Sequence, residues 1–282
     1  MDPTVDFLAA AIRIATPLLL AALGEMLTER SGVLNLSVEG AMLAGCLASA
    51  LGAHWSGSPY FGLATGALGG LAVATVFSLV AIRGRVDQVI VGTALTLGTI
   101  GVTGLWYRWA FGAEGLGLTL PTVVWTPTVI AGALVVTVSV LLRSTIGLRL
   151  RAVGESAVAA RAIGIGVERY RAAATAVGGL LAGLGGATLV LGQVGTFAER
   201  MTAGRGFIAI AIVVLGRWHP IGVMLAAVGF GALTALQFAF QAVGIALPYQ
   251  LFLMLPYLVA LAALAGFGWR ARAPADLGRS LS

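Results

Sequence analysis

The chain has 282 residues, of which 59% are hydrophobic and only 10% charged, whereas a soluble domain carries about 25% charged residues. That excludes an ordinary soluble domain and points to an all-α polytopic membrane bundle, one transmembrane domain over 1–282 with room for about eight to ten crossings of roughly 20 residues each. The net charge of +6 comes from arginines in the links between apolar runs, so it reads as membrane topology facing lipid and not as a nucleic-acid footprint.

Apolar runs bounded by charge and by Gly or Pro clusters predict about nine spans, near 7–27, 34–53, 60–82, 87–108, 122–142, 172–192, 205–217, 220–243 and 248–268. The first run lacks the basic leader and small-residue cleavage site of a signal peptide and is expected to remain as a helix. Pro17 and Pro256 remove a backbone donor within spans and should bend them.

The segment LTERSGVLNLSVEGAMLAG, 27–45, sets Asn35, Ser37 and Glu39 at every second position, which suits no lipid-facing helical stripe. Polar groups at membrane depth are tolerated only within protein or around water, so a broken or re-entrant helix start is expected near 31–40. Two readings fit these residues. They border a translocation pathway, or Asn35 or Ser37 caps a helix start at the interface while Glu39 stays near it. Cys46 stands alone, so no disulfide or thiolate metal site can form within the chain.

The third span carries Gly62, Gly66 and Gly70, and the sixth Gly179 and Gly183, each a small-residue face for close helix contact. In 86–104, Gln88, Gly92, Thr96, Thr99 and Thr103 share one helical face. Such a stripe faces other helices or a conduit, and its threonines can also bond back to their own helix.

Residues 143–171 form the one long polar interruption, with Arg143, Arg149, Arg151, Arg161, Arg169 and Arg171. By the positive-inside rule this loop is cytoplasmic. Within it ESAVAARAI forms a short helix that Ser156 can cap, too short to stand alone. It rests on a soluble partner or on the membrane face of its own chain. Alternation then puts the amino terminus outside, and the Arg217–His219 tip and the tail with Arg270, Arg272 and Arg279 inside. Arg205 is expected to pair with Glu199. His54 and His219 fall on opposite sides, and no metal cluster or nucleophile–base set appears, so no catalytic residue and no bound cofactor are expected.

Three stretches together, GLRLRAVGESAVAARAIGIGVERYR (147–171), ERSGVLNLSVEGAML (29–43) and AGRGFIAIAIVVLGRWHPIG (203–222), resemble the inner-membrane permease subunits of bacterial ABC importers in the ribose, branched-chain amino acid and nucleoside group. The similarity runs from about residue 11 to 266. The ERSGVLNLSVEG form is most similar to the nucleoside and riboflavin importers, and less so to the sugar permeases, whose version is shorter. The resemblance implies two permeases, often two different chains, with two ATPases that use the ATP and an extracytoplasmic binding protein. It also implies that Glu155, Ala159, Ala160, Arg161 and Gly164 contact the ATPase; the pathway reading of the polar positions above puts Asn35, Ser37, Glu39, Gln88, Thr96 and Thr99 along the conduit. No GxxxxGK[ST] loop and no lysine occur, so ATP hydrolysis belongs to a partner. An ion-coupled secondary transporter is the rival reading; its buried ionisable groups would be Arg13, Glu25 and Glu39, since the later spans are nearly free of charge.

Overall fold

A chain this apolar must satisfy its backbone polar groups within each crossing, and the α-helix does so segment by segment. The computed structural model describes residues 3–112, 119–242 and 272–279, with positions 254, 258, 261, 262 and 265. Among the described residues there are helices, turns and coil, and no strand. In chain order the helices are α1 (Pro3–Arg30), α2 (Val38–Ser56), α3 (Pro59–Phe77), α4 (Gln88–Phe111) and α5 (Thr126–Arg143). Then come α6 (Thr145–Glu155), α7 (Ala157–Ala162), α8 (Val167–Leu189), α9 (Arg205–Leu215) and α10 (Pro220–Ala242). Wider-wound π segments, Ser78–Arg83 and Val190–Val194, extend α3 and α8.

Among the described residues six helices are long and apolar enough to cross a membrane: α1, α3, α4, α5, α8 and α10. Six of the predicted spans fall on these helices, and the span expected at 34–53 falls on α2, which is not among them. The span expected at 205–217 is α9, whose 11 residues rise about 16 Å, half of a hydrocarbon core of about 30 Å. The loop expected to run to 171 stops sooner, because Val167 already begins α8. The span expected at 248–268 and the bend at Pro256 lie outside the described residues.

α1, α2, α3 and α8 pack through glycine. A methyl group at Gly45 would strike the Gly183 backbone, at Gly70 the Gly179 and Gly183 backbones, and at Gly186 the Met42 carbonyl. In lipid, such backbone-to-backbone approach supplies the packing that water-driven burial supplies elsewhere. The glycine faces expected on the third and sixth spans therefore meet each other. α4 and α5 are attached far more loosely, with 22% and 28% of their spans buried against 61% and 78% for α1 and α8.

The bundle has two distinct ends. At one, called here the arginine end, Arg30 donates through Nε (3.0 Å) and Nη2 (2.7 Å) to the Trp218 carbonyl, beside α6, α7, the start of α8 and residues 272–279. At the other, the rings of His54 and Phe111 lie 5.3 Å apart and those of Tyr107 and Phe197 4.8 Å apart. His54 and His219 thus belong to opposite ends.

Candidate functional site

Beyond Arg30 the chain turns back into the bundle. Gly32, at φ +86, a conformation glycine adopts without strain, donates to the Glu29 carbonyl (2.9 Å). The Asn35 N–H then reaches Glu25 Oε1 at 3.1 Å, which sets Asn35 level with a residue more than a turn inside α1. Asn35 Oδ1 accepts from the Ser37 N–H (3.1 Å) and the Ser37 hydroxyl, the local turn that asparagine favours. Ser37 occupies the cap position of α2 without a side-chain capping bond. The break expected near 31–40 is present, and Asn35 closes it.

Glu39 serves a different helix. Its Oε1 accepts from Thr202 Oγ1 (2.6 Å) and the Gly204 N–H (2.9 Å), and its Oε2 from the Gly206 N–H (2.6 Å). Gly204 stands at the cap of α9 and has no side chain with which to cap it, so its orphan donors take a carboxylate from α2 instead. Two broken helix starts, one at Val38 and one at Arg205, are thereby joined through a single side chain.

A cavity of about 450 Å³ opens at this junction, between α2, α4, the 200–204 segment and α9, lined by Glu39, Thr93, Thr96, Arg200, Thr202 and Phe207 among others. Its size suits a small molecule. Three of roughly four acceptor positions of the Glu39 carboxylate are taken by the protein. Arg200 (φ +57) and Ala203 (φ +47) hold left-handed conformations in its wall, costly for residues with a Cβ and characteristic of functional loops.

The six residues expected along a conduit therefore separate. Glu39 and Thr96 line the cavity, with Thr96 Oγ1 donating to the Leu36 carbonyl at 3.1 Å. Asn35 and Ser37 build the turn beside it. Gln88 sits at the arginine end, accepting the Leu34 N–H (2.8 Å) and donating to the Arg279 carbonyl (3.3 Å). Thr99 faces a separate apolar groove of about 530 Å³ between α2, α3 and α4. Thr93, Arg200, Thr202 and Phe207 were not expected. Thr93 carried a weak signal, one turn before Thr96, but only tertiary contact brings 200–207 to α2.

On the arginine end, α6 and α7 make the surface. Ser156 Oγ accepts the Ala159 N–H (3.2 Å), the cap expected for this short helix. Glu155, Ala159, Arg161 and Gly164 are exposed. Ala160 is not: it is 2% exposed and packs with Val33, Phe77, Val91, Val153, Ala157 and Val167. Its small side chain lets α7 dock on its own chain, which corrects its expected place at a partner surface. Along α7 and the turn after it the large apolar side chains that project are Val158 (76% exposed) and Ile163 (74%). Of the two expectations for this helix, the inner face rests on its own chain, and the outer face is exposed.

At the opposite end Glu199 pairs with Arg108 in two parallel bonds, Nε–Oε1 at 2.7 Å and Nη2–Oε2 at 2.9 Å. The Arg108 hydrogen bond holds the Glu199 carboxyl below its usual range. The pairing expected with Arg205 is thus corrected, and Arg205 Nη1 donates to the Met201 carbonyl at 3.0 Å. Among the described residues no group of three or more His, Cys, Asp or Glu side chains is placed to hold a metal. Cys46 is buried with Sγ 3.3 Å from the Gly186 carbonyl.

The sequence signature of the branched-chain amino acid transport system permease component matches residues 7–264. The chain belongs to this permease family. The permease is 33% identical to the guanosine ABC transporter permease protein NupQ of Bacillus subtilis, over 94% of the chain and 92% of NupQ. It is 32% identical to the nucleoside ABC transporter permease protein NupC of Lactococcus lactis, over 96% and 95%. It is also 37% identical to the putative glucose ABC transporter permease protein TsgC13 of Haloferax volcanii, over 88% and 81%. No solved structure matches the permease. It is a multi-pass membrane subunit of an ABC transport system.

Proposed function

We propose that this permease forms one half of the pathway by which an ATP-driven importer carries a nucleoside or related nucleobase-containing compound across the bacterial inner membrane. Its amino terminus lies outside and the arginine end, with the carboxyl tail, faces the cytoplasm. A partner ATPase seats on the exposed face of α7 and supplies the chemistry; the permease binds no cofactor. A second permease, a different chain, closes the open side of α4 and α5, and an extracytoplasmic binding protein delivers the solute at the aromatic end. With the amino terminus outside, the chain makes nine passages, α9 and its approach counting as one and 248–268 as the last.

The observation that carries this reading is the cavity at Glu39, where the starts of α2 and α9 meet against the loosely held α4. Thr93, Thr96 and Thr202 offer hydroxyls there for a sugar or base edge, and Phe207 offers a ring face on which a planar base can lie. The names of NupQ and NupC support the nucleoside class; TsgC13 is why a sugar is the second candidate.

Uptake of radiolabelled guanosine, glucose and leucine by cells lacking this chain tests the proposal. Guanosine uptake is expected to disappear and to return with the wild-type chain but not with Glu39→Ala. Undiminished guanosine uptake together with lost glucose or leucine uptake overturns the substrate class, and uptake that survives removal of ATP but not of the ion gradient overturns the driving force.

A further inference from the structure

Residues 272–279 lie against the arginine end as a compact turn, closed by bonds from the Leu277 N–H to the Pro274 carbonyl and from the Arg279 N–H to the Asp276 carbonyl, both 3.1 Å. Pro274 is buried, and Leu277 packs against the main apolar cluster. From this turn bonds run to five other parts of the bundle. Asp276 Oδ2 accepts the N–H of Ala157, the first residue of α7, at 2.7 Å. The Asp276 N–H donates to the Gly154 carbonyl at the end of α6 (2.9 Å), and the Gly278 N–H to the Gly32 carbonyl in the α1–α2 turn (3.1 Å). The Arg279 carbonyl accepts from Arg171 Nη1 in α8 (3.0 Å) and from Gln88 Nε2 in α4 (3.3 Å). Arg171 is 2% exposed, and its Nε finds no partner, so this guanidinium depends on the tail for a bond it cannot replace with water.

We propose that this carboxyl-terminal turn is a positioning strap that carries displacement of α7 to the 31–37 turn, and through it to Glu39 and the cavity wall. The proposal rests on α7 being the ATPase dock. A helix of 6 residues cannot hold its own orientation. Its inner face offers Ala157 and Ala160 to the bundle, and among the described residues the carboxylate of Asp276 is the one charged group bonded to its first turn. A bond to a charged acceptor is roughly twice as strong as a neutral one. The next link, Gly278 to Gly32, grips the turn that leads through Asn35 and Ser37 to Glu39, which in turn holds Thr202, Gly204 and Gly206. A continuous route of this kind amounts to coupling only if both ends move together.

The first test uses the purified permease alone in lipid nanodiscs, with a nitroxide attached through Val158→Cys; Cys46 is buried and stays unlabelled. Asp276→Ala is expected to narrow the spectrum as α7 gains mobility, and Asp276→Asn, which keeps an acceptor, to narrow it less. An unchanged spectrum overturns the strap whatever the ATPase does. The second test uses the transporter assembled with its ATPase in proteoliposomes. Asp276→Ala is expected to leave ATPase recovery and ATP hydrolysis intact while uptake per ATP falls. A strap that serves only folding would lower the yield of complex and leave uptake per ATP unchanged, and that result overturns the proposal. A wild-type permease that binds no ATPase at all refutes the functional reading instead, and leaves the spectroscopic test to decide the strap.

Discussion

α1, α2, α3 and α8 on one side, and α4 and α5 on the other, solve the same problem in opposite ways. The first group brings backbones together at glycines, so that Gly45, Gly70, Gly183 and Gly186 leave no space for a methyl group. On α4, by contrast, Gly98 and Gly101 have nothing within 4 Å of where a Cβ would stand, and Leu97 and Leu105 are 70% and 73% exposed. The first arrangement is rigid, because packed backbones cannot slide without collision. The second leaves only the outward face of α4 open, because its inner face meets the start of α2, where Gly92 abuts the Leu36 backbone and Thr96 bonds to the Leu36 carbonyl; the cavity lies on that seam. Close backbone packing and open surface are thus divided between the two groups of helices.

The largest effect is expected from Gly186→Val, which drives a branched side chain into the Met42 carbonyl. Overpacking costs about 1–3 kcal/mol even where neighbours can yield, and here the neighbour is backbone, so the protein should fail to give a monodisperse peak on size-exclusion chromatography. A normal peak and melting temperature would mean that the glycine contacts are looser than described. Next comes Glu39→Ala, which leaves three donors at the start of α9 without their acceptor. At about 1–3 kcal/mol per buried unsatisfied group, transport should vanish and thermal stability fall, both measurable on purified protein.

On the surface helix the contrast is between two adjacent faces. Val158→Asp should abolish ATPase recovery in a pull-down while leaving the melting temperature nearly unchanged, since an exposed substitution typically shifts stability by within about 0.5 kcal/mol. Ala160→Glu should instead lower stability first, because it buries a charge among Val33, Phe77 and Val153. A smaller effect is expected from Gly98→Ala, a gain of about 0.5–1 kcal/mol from helix propensity alone. If that substitution reduces recovery of the second permease instead, the open face of α4 is the permease–permease contact. The smallest effect concerns Glu199. Its carboxyl is held below the usual range by Arg108, so the stabilisation by the pair is complete above the ordinary carboxylate range and is lost as pH falls through the depressed value. Glu199→Gln should therefore melt slightly below wild type at neutral pH and coincide with it once the pH has fallen below that depressed value.

Properties local to the chain could be read before folding was considered. Hydropathy located the spans because a crossing is a contiguous stretch, and the alternation of Asn35, Ser37 and Glu39 announced a broken helix because no continuous helix presents that pattern to lipid. The Ser156 cap is equally local. The half-length of α9 had a signal too, since the apolar run at 205–217 is short for a crossing. The facing of α7 had none: six residues carry too little periodicity to say that Ala160 points inward and Val158 outward.

By itself, then, the sequence determined the membrane class, the order and approximate extent of the helices, the break before α2 and the permease family. Each of these is set by the composition or spacing of neighbouring residues. The tertiary structure alone decided that Glu39 caps α9, that Glu199 pairs with Arg108, that Gln88 and Arg171 bind the carboxyl-terminal turn, and that Thr96 and Thr99 face different spaces. A carboxylate or a guanidinium can satisfy any suitable partner, and only the folded packing of helices far apart in sequence determines which partner lies within reach.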